Sequence, residues 1–408
     1  MTNLSETEQH ARATFAAGDF VKAEMLFQKL ALAAPRDAVA QYNLGVCVSK
    51  LDRFEDALVC YRRAIELNPG FADAYTNFGV CLNALNLIPQ ARQAFAIAHK
   101  LTPENPIPTL NEGIAALALG DYEAGWQGFD ARWQLPTYAK FKRVFEKPLW
   151  DGHNIAGKTL FLYAEQGFGD TIQMVRYVPV LETQGIKIIL EVPPALTSLI
   201  QSLEGSAEII TKGEPIPDFD FYCALMDLPG LLHTTLETIP NNIPYLFGPQ
   251  EQKQQGSERP RIGLCWAGRS SHENDKNRSM AFAELLPLLK NTNVEWISLQ
   301  RHVAEGDKAD LVKSNVLRWG ESFADFSAAA AAIVSCDLII TVDTSIAHLA
   351  GALGKETWVL LPLYADWRWL TGRADSPWYP TARLFRQESR GNWQNIINQI
   401  SKALKAAY

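Results

Sequence analysis

Long apolar runs are absent from the sequence, and this limits where the protein can reside. No stretch approaches the roughly 18–20 consecutive apolar residues that a helix needs to span a bilayer. Residues 1–6 contain no basic segment that leads into an apolar core, so the pattern predicts no signal peptide. We therefore expect a cytoplasmic protein without a transmembrane segment.

Closely spaced cysteines are also absent. The chain has 6 cysteines, and none of them belongs to a Cys-x-x-Cys pair. Scattered cysteines in a reducing compartment are typically buried free thiols. The sequence therefore predicts buried free thiols and no zinc site.

An excess of basic charge is missing as well. Lys and Arg number 38 against 45 Asp and Glu, which gives a formal net charge of -7. Because sequence-independent nucleic-acid binding requires Lys and Arg to replace counterions, we expect no nucleic-acid partner. This balance still permits a local basic pocket for one phosphate group. The 408 residues, 47% of them hydrophobic and 20% charged, indicate a folded protein of two or three domains.

A repeat with a spacing of 34 residues fills the N-terminal third of the chain. The residues that keep this spacing are Ala23, Ala57, Ala91 and Gly125; Phe27, Tyr61, Phe95 and Phe129; Pro35, Pro69 and Pro103; and Gly45, Gly79 and Gly113. Small residues allow paired helices to touch, aromatic residues fill the space between them, and proline ends the second helix. The pattern resembles the tetratricopeptide repeat.

We expect about three and a half to four such helix pairs over residues 1–136. In the second pair, the helices are predicted at residues 39–51 and 54–67. Gly125 and Gly128 predict that the fourth unit is a weakened, capping unit, because a free helix disfavours glycine. The array is either a scaffold that only packs or a concave surface that binds a peptide or protein partner, and we favour binding.

After a connector at residues 137–157, the pattern changes to alternating strands and helices. The predicted strands are residues 158–163, 186–192, 261–266, 294–300, 337–342 and 356–361. The predicted helices are residues 170–184, 194–203, 282–290, 323–335, 345–353 and 393–407. Such alternation predicts parallel sheets. We expect two Rossmann-like lobes, a small one at 158–248 and a larger one at 261–408, joined by a linker at 249–260. Ligands of such sheets bind at the carboxyl ends of the strands.

The strongest site motif begins with Asp343, Thr344 and Ser345, which follow a predicted strand and open a helix. Free backbone N–H groups and the positive helix end attract anions there, and the two hydroxyls add donors. His348 lies one turn further along the same face. The simpler alternative is an ordinary helix N-cap, since Asp, Thr and Ser are common capping residues. With His348 in register, we interpret this turn as a phosphate site.

A glycine loop after the first predicted strand forms the second motif. Gly167 and Gly169 would bring the backbone close to a ligand, and Asp170 opens the following helix. A dinucleotide fingerprint requires a further glycine at position 172, where the sequence has Ile, so that interpretation is weak. Asp170 is our candidate general base, with helix capping as the alternative role and Glu165 as the reserve candidate.

The third motif follows the first strand of the second lobe. It begins with Trp266 and Gly268 and continues to Lys276 and Arg278, with Arg269 between them. Cations at this edge could neutralise a diphosphate leaving group. The alternative is a solvated polar loop.

Asp218 and Asp220 match the Asp-x-Asp pattern of metal-dependent transferases. Three-residue matches are common by chance, and this one lies far along the chain from the phosphate turn. We therefore expect no metal site.

Four segments in this order are similar to bacterial tetratricopeptide proteins that carry a family 9 glycosyltransferase domain, the family that resembles lipopolysaccharide heptosyltransferases. The segments are residues 165–177, 266–279, 343–354 and 367–387. The resemblance covers nearly the whole chain. More distantly, the layout is similar to that of the protein O-linked N-acetylglucosamine transferases.

This resemblance implies a GT-B fold and an inverting, metal-independent transfer of a sugar from a nucleotide-diphosphate sugar, without a cofactor. Asp170 and Arg278 are the catalytic residues that we predict. The predicted donor- and phosphate-binding residues are Gly169, Trp266, Gly268, Lys276, Asp343, Thr344, Ser345 and His348. The expected partners are the nucleotide sugar and a protein or glycan acceptor. The alternative, suggested by the short first lobe, is a catalytically inactive scaffold with a transferase-like domain.

Overall fold

The computed structural model describes residues 4–249, 259–272 and 274–407. It divides into two compact units, Met1–Lys140 and Phe141–Tyr408, which are described separately below. Most of the predicted linker at 249–260 lies outside the described residues. None of the helices within the described ranges has the length and apolar character that crossing a membrane requires.

The first unit consists of helices. Eight of them form four successive pairs, and a short ninth helix follows. Their bounds are α1 Leu4–Ala16, α2 Phe20–Ala33, α3 Ala38–Lys50, α4 Phe54–Leu67, α5 Ala72–Ala84, α6 Ile88–Leu101, α7 Pro106–Ala118, α8 Tyr122–Phe129 and α9 Pro136–Ala139. The predicted helix-turn-helix repeat is confirmed.

Packing between a glycine and an aromatic ring explains why the two residue types recur together. A Cβ atom on Gly79 would lie 2.5 Å from Cε1 of Phe95, and one on Gly45 would lie 2.8 Å from Cε1 of Tyr61. The rings of Phe95 and Tyr61 are almost fully buried against these helix backbones. Only glycine leaves room for the ring, so the 34-residue spacing of the glycines and aromatic residues results from a packing requirement.

The second helix of the fourth pair is shortened, in agreement with the predicted weakening: α8 has 8 residues and continues into a 3₁₀ helix at Asp130–Gln134, whereas α2, α4 and α6 have 14 residues each. It nevertheless packs closely on α7. A Cβ atom on Gly113 would lie 2.7 Å from the carbonyl carbon of Gly128, so the two backbones are in direct contact. The glycines therefore allow close packing of the helices. This tertiary contact offsets the low helix propensity of glycine, which is about 1 kcal/mol per residue.

The second unit contains two parallel sheets. The first has the strand order β3-β2-β1-β4 and the second has the order β10-β9-β8-β5-β6-β7. The strands are β1 Thr159–Tyr163, β2 Lys187–Val192, β3 Glu208–Thr211, β4 Phe221–Ala224, β5 Arg261–Cys265, β6 Glu295–Ser298, β7 Leu317–Arg318, β8 Leu338–Val342, β9 Thr357–Leu361 and β10 Ala382–Arg386. The predicted parallel α/β region is confirmed.

The α-helices of this unit connect the strands. They are α10 Phe168–Met174, α11 Tyr177–Thr183, α12 Pro194–Ile200, α13 Leu228–Leu231, α14 Asp275–Arg278, α15 Glu305–Lys313, α16 Phe326–Ser335, α17 Ser345–Ala352 and α18 Gln394–Ala407. Helix α18 buries Ile396, Ile397, Ile400 and Leu404 against the second sheet. Full burial of each such side chain contributes about 1.5–3 kcal/mol.

Two predicted helices are interrupted, and in each case a proline provides the reason. The helix expected at 170–184 is divided between α10 and α11, because Pro179 lacks an N–H and its ring clashes with the carbonyl of Val175. The helix expected at 282–290 is two 3₁₀ turns, Phe282–Leu285 and Leu288–Lys290, on either side of Pro287. A third predicted helix, 323–335, begins later, at α16, where Asp325 caps the N–H of Ala328.

The predicted connector at 137–157 contributes to the second unit. The backbone N–H of Trp150 donates to the carbonyl of Tyr222 at 2.9 Å, and Leu149 forms a parallel bridge with Tyr222. The Trp150 side chain is 2% exposed. The segment therefore packs along β4 at the edge of the first sheet. All 6 cysteines are free thiols, and five of them are buried.

Candidate functional site

Three loops that follow parallel strands bring their polar residues together in the second unit. Asp170 is in the first turn of α10 after β1, Arg278 ends α14 after β5, and Asp343 and Thr344 follow β8 directly. Helices α10 and α17, from the two different sheets, pack against each other. The carboxyl ends of the strands are where ligands of such sheets bind, so this cluster is the candidate site.

The turn after β8 is built as an N-cap. The Thr344 hydroxyl accepts a hydrogen bond from the backbone N–H of Ile346 at 3.3 Å, and Thr344 is 6% exposed. This is the capping role given above as the simpler alternative for the turn. Ser345, the first residue of α17, is half-buried and can still offer its hydroxyl to a ligand.

Asp343 is a buried carboxyl group with an altered proton affinity. Burial raises its pKa to about 6, and the nearby Asp366 carboxylate adds to this effect. The nearby indole of Trp369 and the charges of Arg278 and Arg368 act in the opposite direction. Because a carboxyl with this pKa changes charge near neutral pH, Asp343 can be present in either protonation state in the cell.

His348 is buried, and it is uncharged at neutral pH. Burial lowers the pKa of this imidazole well below its usual range, and the charge of Arg368 lowers it further. Its Nδ1 lies 3.0 Å from the Tyr379 hydroxyl, and its ring stacks on Trp369 at a centroid distance of 5.6 Å. A neutral imidazole carries one N–H, so His348 can donate a hydrogen bond but supplies no positive charge to a phosphate.

At Gly169, α10 closely approaches His348 of α17. A Cβ atom on Gly169 would lie 2.7 Å from Cδ2 of His348. Any side chain at this position would push the two helices apart. The glycine therefore brings Asp170, the next residue, beside the turn after β8.

Asp170 is held from two sides. One carboxylate oxygen accepts a hydrogen bond from the Gly167 N–H at 2.8 Å, and the other accepts a hydrogen bond from the guanidinium of Arg368. Its side chain is 23% exposed. Asp170 is thus both a helix cap and a partly accessible carboxylate at the candidate site.

Arg368 is the site residue that we did not predict. It is 7% exposed and pairs with Asp366 at 2.9 Å as well as with Asp170. Burial alone would lower the pKa of its guanidinium, but Asp366 and Asp170 raise it, so Arg368 remains charged. In the sequence, Arg368 stands between two tryptophans, Trp367 and Trp369. This pattern is the feature by which Arg368 could have been recognised as a site residue.

Arg278 lies over the loop that follows β5. Its Nη1 donates to the carbonyl of Asp343 at 3.1 Å, and its Nε lies 3.5 Å from an oxygen of Asp275. A Cβ atom on Gly268 would lie 2.6 Å from Nη2 of Arg278, so Gly268 provides the space for the guanidinium. Arg278 therefore joins the loop after β5 to the turn after β8, while Lys276 is exposed nearby.

Trp266 faces the core of the second sheet. It is 1% exposed, and its indole N–H donates to Asp307 at 2.8 Å. Its side chain therefore supports the loop after β5, and it is not placed to contact a donor directly.

The Asp-x-Asp motif lies away from the cluster around Arg368, whereas Glu165 contacts Met226, whose sulfur lies 3.7 Å from Nη2 of Arg368. Asp218 pairs with Lys147 at 3.1 Å and is 91% exposed, and Asp220 accepts a hydrogen bond from the Thr159 N–H at 2.9 Å. Glu165 is buried and accepts a hydrogen bond from the Met226 N–H. Within the described part of the chain, no group of three or more His, Cys, Asp and Glu side chains is placed to hold a metal ion.

Comparison with protein families identifies the repeats. A model described as the tetratricopeptide repeat matches residues 38–71, and a second model with this description matches residues 60–93. The first unit is an array of tetratricopeptide repeats. These repeats indicate protein–protein interaction.

Comparison with known proteins adds a relative whose match extends over nearly the whole of this chain. The chain is 25% identical over 414 residues to Protein FlbA from Caulobacter vibrioides, and the match covers 92% of this chain and 69% of that protein.

Two solved structures are each similar to about a third of the chain. A crystal structure of MamA is 22% identical over 32% of this chain and 75% of its own, with a TM-score of 0.31. YrrB, a tetratricopeptide protein with an unusual peptide-binding site, is 22% identical over 33% of this chain and 69% of its own, with a TM-score of 0.30.

Proposed function

We propose that the second unit is an inverting, metal-independent glycosyltransferase of the GT-B type. It would move a sugar from a nucleotide-diphosphate sugar to a hydroxyl of a protein or glycan. The observation that supports this proposal is the convergence of Asp170, Arg278 and the Asp343–Ser345 turn from the ends of β1, β5 and β8. A carboxylate, fixed cations and a helix start are the groups that such a reaction requires.

In this mechanism, Asp170 takes the proton from the acceptor hydroxyl. The oxygen then attacks the anomeric carbon of the sugar as the bond to the diphosphate breaks, which inverts the configuration. The nucleoside diphosphate leaves with the bonding electron pair and its added negative charge. Arg278, Lys276 and the start of α17 at Ser345 would stabilise that charge, so no metal ion is needed.

The tetratricopeptide unit would recruit the acceptor or another protein partner. Its helix pairs form a repeat class that binds peptides or proteins on a concave face. In this proposal, the repeats supply acceptor affinity and the second unit supplies the chemistry.

The test is a sugar-transfer assay of the full chain with a panel of nucleotide-diphosphate sugars, preceded by a thermal-shift screen that selects the donor. A ligand that binds the native state raises the melting temperature by mass action. We expect Arg278→Ala to weaken binding of the nucleoside diphosphate and to lower turnover. If Asp170→Asn and Arg278→Ala both leave turnover unchanged, the mechanism is wrong.

A second candidate function is a binding module without catalysis. The observation that favours it is the close contact of Gly169 with His348, together with the pairing of Asp170 with Arg368, because these contacts occupy the space beside the proposed base. Calorimetric titration of the full chain with UDP, GDP, ADP and CDP separates the two candidates. Absence of binding by all four would favour the module.

A further inference from the structure

We propose that Arg368 is a positioning residue that orients Asp170 for catalysis across the junction of the two sheets. The inference rests on the proposed function, in which Asp170 is the base. It concerns a residue from the second sheet, in the loop after β9, that acts on a residue of the first.

Helix α10 presents a polar stripe to Arg368. Asp170 and Gln173 are three residues apart, so they lie on the same helix face. The Arg368 guanidinium donates through Nη2 to Asp170 and through Nε to the side-chain oxygen of Gln173. One planar cation therefore spans one turn of α10 and fixes two of its side chains at once.

Arg176 lies two residues after the end of α10 and binds the loop that precedes β10. Arg176 is 3% exposed, and its Nη1 donates to the carbonyl of Trp378 at 2.7 Å. Its Nη2 donates to the Tyr245 hydroxyl at 2.9 Å. Because Arg176 anchors the chain at the C-terminal end of α10, the helix is restrained from rotating, and Asp170 keeps its direction relative to Arg368.

Arg368 is itself held in place. Asp366 accepts from Nη1 at 2.9 Å, and the guanidinium lies 4.5 Å above the ring of Trp367. The Arg368 side chain is 8% exposed, whereas that of Asp170 is 23% exposed. The more accessible carboxylate is thus left to meet a substrate, while the buried cation behind it sets its orientation.

The two hydrogen bonds to Asp170 come from different elements and reach different oxygens. Gly167 N–H holds one oxygen and Arg368 holds the other, so the carboxylate plane is fixed. Each oxygen keeps a further lone pair for an acceptor hydroxyl. An orienting partner behind a base contributes because misplacement of a reacting group by about 1 Å can reduce the rate about 100-fold.

The experiment uses the full chain with Arg368→Met, Arg368→Lys and the control Arg261→Lys. Arg261 also forms a carboxylate pair, with Glu295 at 2.8 Å, but it starts β5 at the end of the strand away from the site. We measure kcat and KM with the donor selected by thermal shift, and Kd for UDP, GDP, ADP and CDP by calorimetry.

We expect Arg368→Met to lower kcat about 100-fold while KM and Kd change less than about threefold. Arg368→Lys keeps one contact but loses the planar fork, so we expect a loss of about tenfold, and this variant carries the test if Arg368→Met does not fold. In the Asp170→Asn background, Arg368→Met should change kcat less than about threefold, because the base that it orients is gone. Arg261→Lys should retain wild-type kcat.

A rise of Kd in proportion to the loss of kcat/KM would overturn the inference, because Arg368 would then bind the donor. Equal kcat losses in the wild-type and Asp170→Asn backgrounds, or unchanged kcat in Arg368→Met, would also overturn it while leaving the proposed function intact. Absence of turnover in the wild-type protein would overturn the proposed function and this inference together.

Discussion

The two units differ in what they bury. Among the described residues, the tetratricopeptide unit buries one charged side chain, Arg132, and its core consists mostly of small and aromatic residues. The second unit buries charged groups close to the candidate site, including Asp343, Arg176 and Arg368. A core of the first kind stabilises the fold through close packing. A buried polar cluster is costly wherever a polar atom lacks a partner, and such clusters are concentrated where chemistry occurs.

Substitution of Asp170 is expected to have the largest effect. It tests whether the polar cluster of the second unit is a catalytic site. Asp170→Asn removes the base, so we expect turnover to fall about 100- to 10,000-fold with little change in nucleoside diphosphate binding. The measurement is steady-state kinetics together with calorimetry. Asp218→Asn, an exposed aspartate of the same lobe, is the control and should retain turnover. Loss of turnover in Asp218→Asn would instead favour the metal-dependent alternative.

Substitution of Gly113 tests how strongly close helix packing stabilises the tetratricopeptide unit. Gly113→Ala places a methyl group against the backbone of Gly128, which cannot move aside as a side chain can. We expect a loss of about 2 kcal/mol in the free energy of unfolding, the net of overpacking and improved helix propensity. Chemical denaturation measures it, and kcat should not change.

The matched control is Gly70→Ala, whose nearest neighbour is an oxygen of Asn68 at 3.4 Å. We expect this variant to unfold like the wild type. A destabilisation as large as that of Gly113→Ala would mean that loss of glycine, rather than helix contact, is responsible.

The burial of Asp343 makes the free energy of unfolding depend on pH. Because its folded-state pKa of about 6 lies above the unfolded value of 3.8, the native protein binds an extra proton between these values and loses stability as pH rises through about 6. Asparagine does not titrate. The stability of Asp343→Asn relative to wild type should therefore increase by about 1 kcal/mol between about pH 5 and about pH 7.5. A stability difference that stays constant with pH, measured by urea denaturation, would contradict this reading of the buried carboxyl.

A partly exposed ion pair in the repeats should matter least. Arg92 pairs with Asp121, the N-cap of α8, at 2.7 Å, and both side chains are partly exposed. We expect Arg92→Ala to cost less than about 1 kcal/mol in denaturation experiments, and less still at high salt. A larger loss would show that charge contributes to the repeats more than the comparison implies.

The repeats were predictable because their packing is periodic in the sequence. Gly79 and Phe95 meet within one helix pair, and the equivalent Gly45 and Tyr61 meet in the preceding pair, so a single spacing reveals the contact. Six strands of the second unit, β1, β2, β5, β6, β8 and β9, were also predictable from their apolar runs, whereas β3, β7 and β10 were not predicted. Helix ends were less predictable. The sequence contains Pro179 and Pro287, but their effect on the continuity of the two helices was not recognised.

The candidate site was only partly predictable. The residues that follow strands, Asp170, Arg278 and Asp343, were found because the ends of parallel strands meet at one edge. Arg368 also lies in a loop after a strand, β9, but it was missed because its partner Asp170 lies 198 residues away in the sequence. The neutral state of His348 was equally invisible, since it results from burial by residues distant in sequence.

The pairing of Arg368 with Asp170 and Gln173 has a consequence for how this protein can be recombined. A chimera that takes residues 158–248 from one relative and residues 261–408 from another must inherit matching side chains at positions 170, 173 and 368. A mismatch would deprive the buried Arg368 guanidinium or the partly buried Asp170 carboxylate of one of its partners, and breaking such a pair is destabilising. The two sheets must therefore be exchanged together, although each could be described as a separate domain.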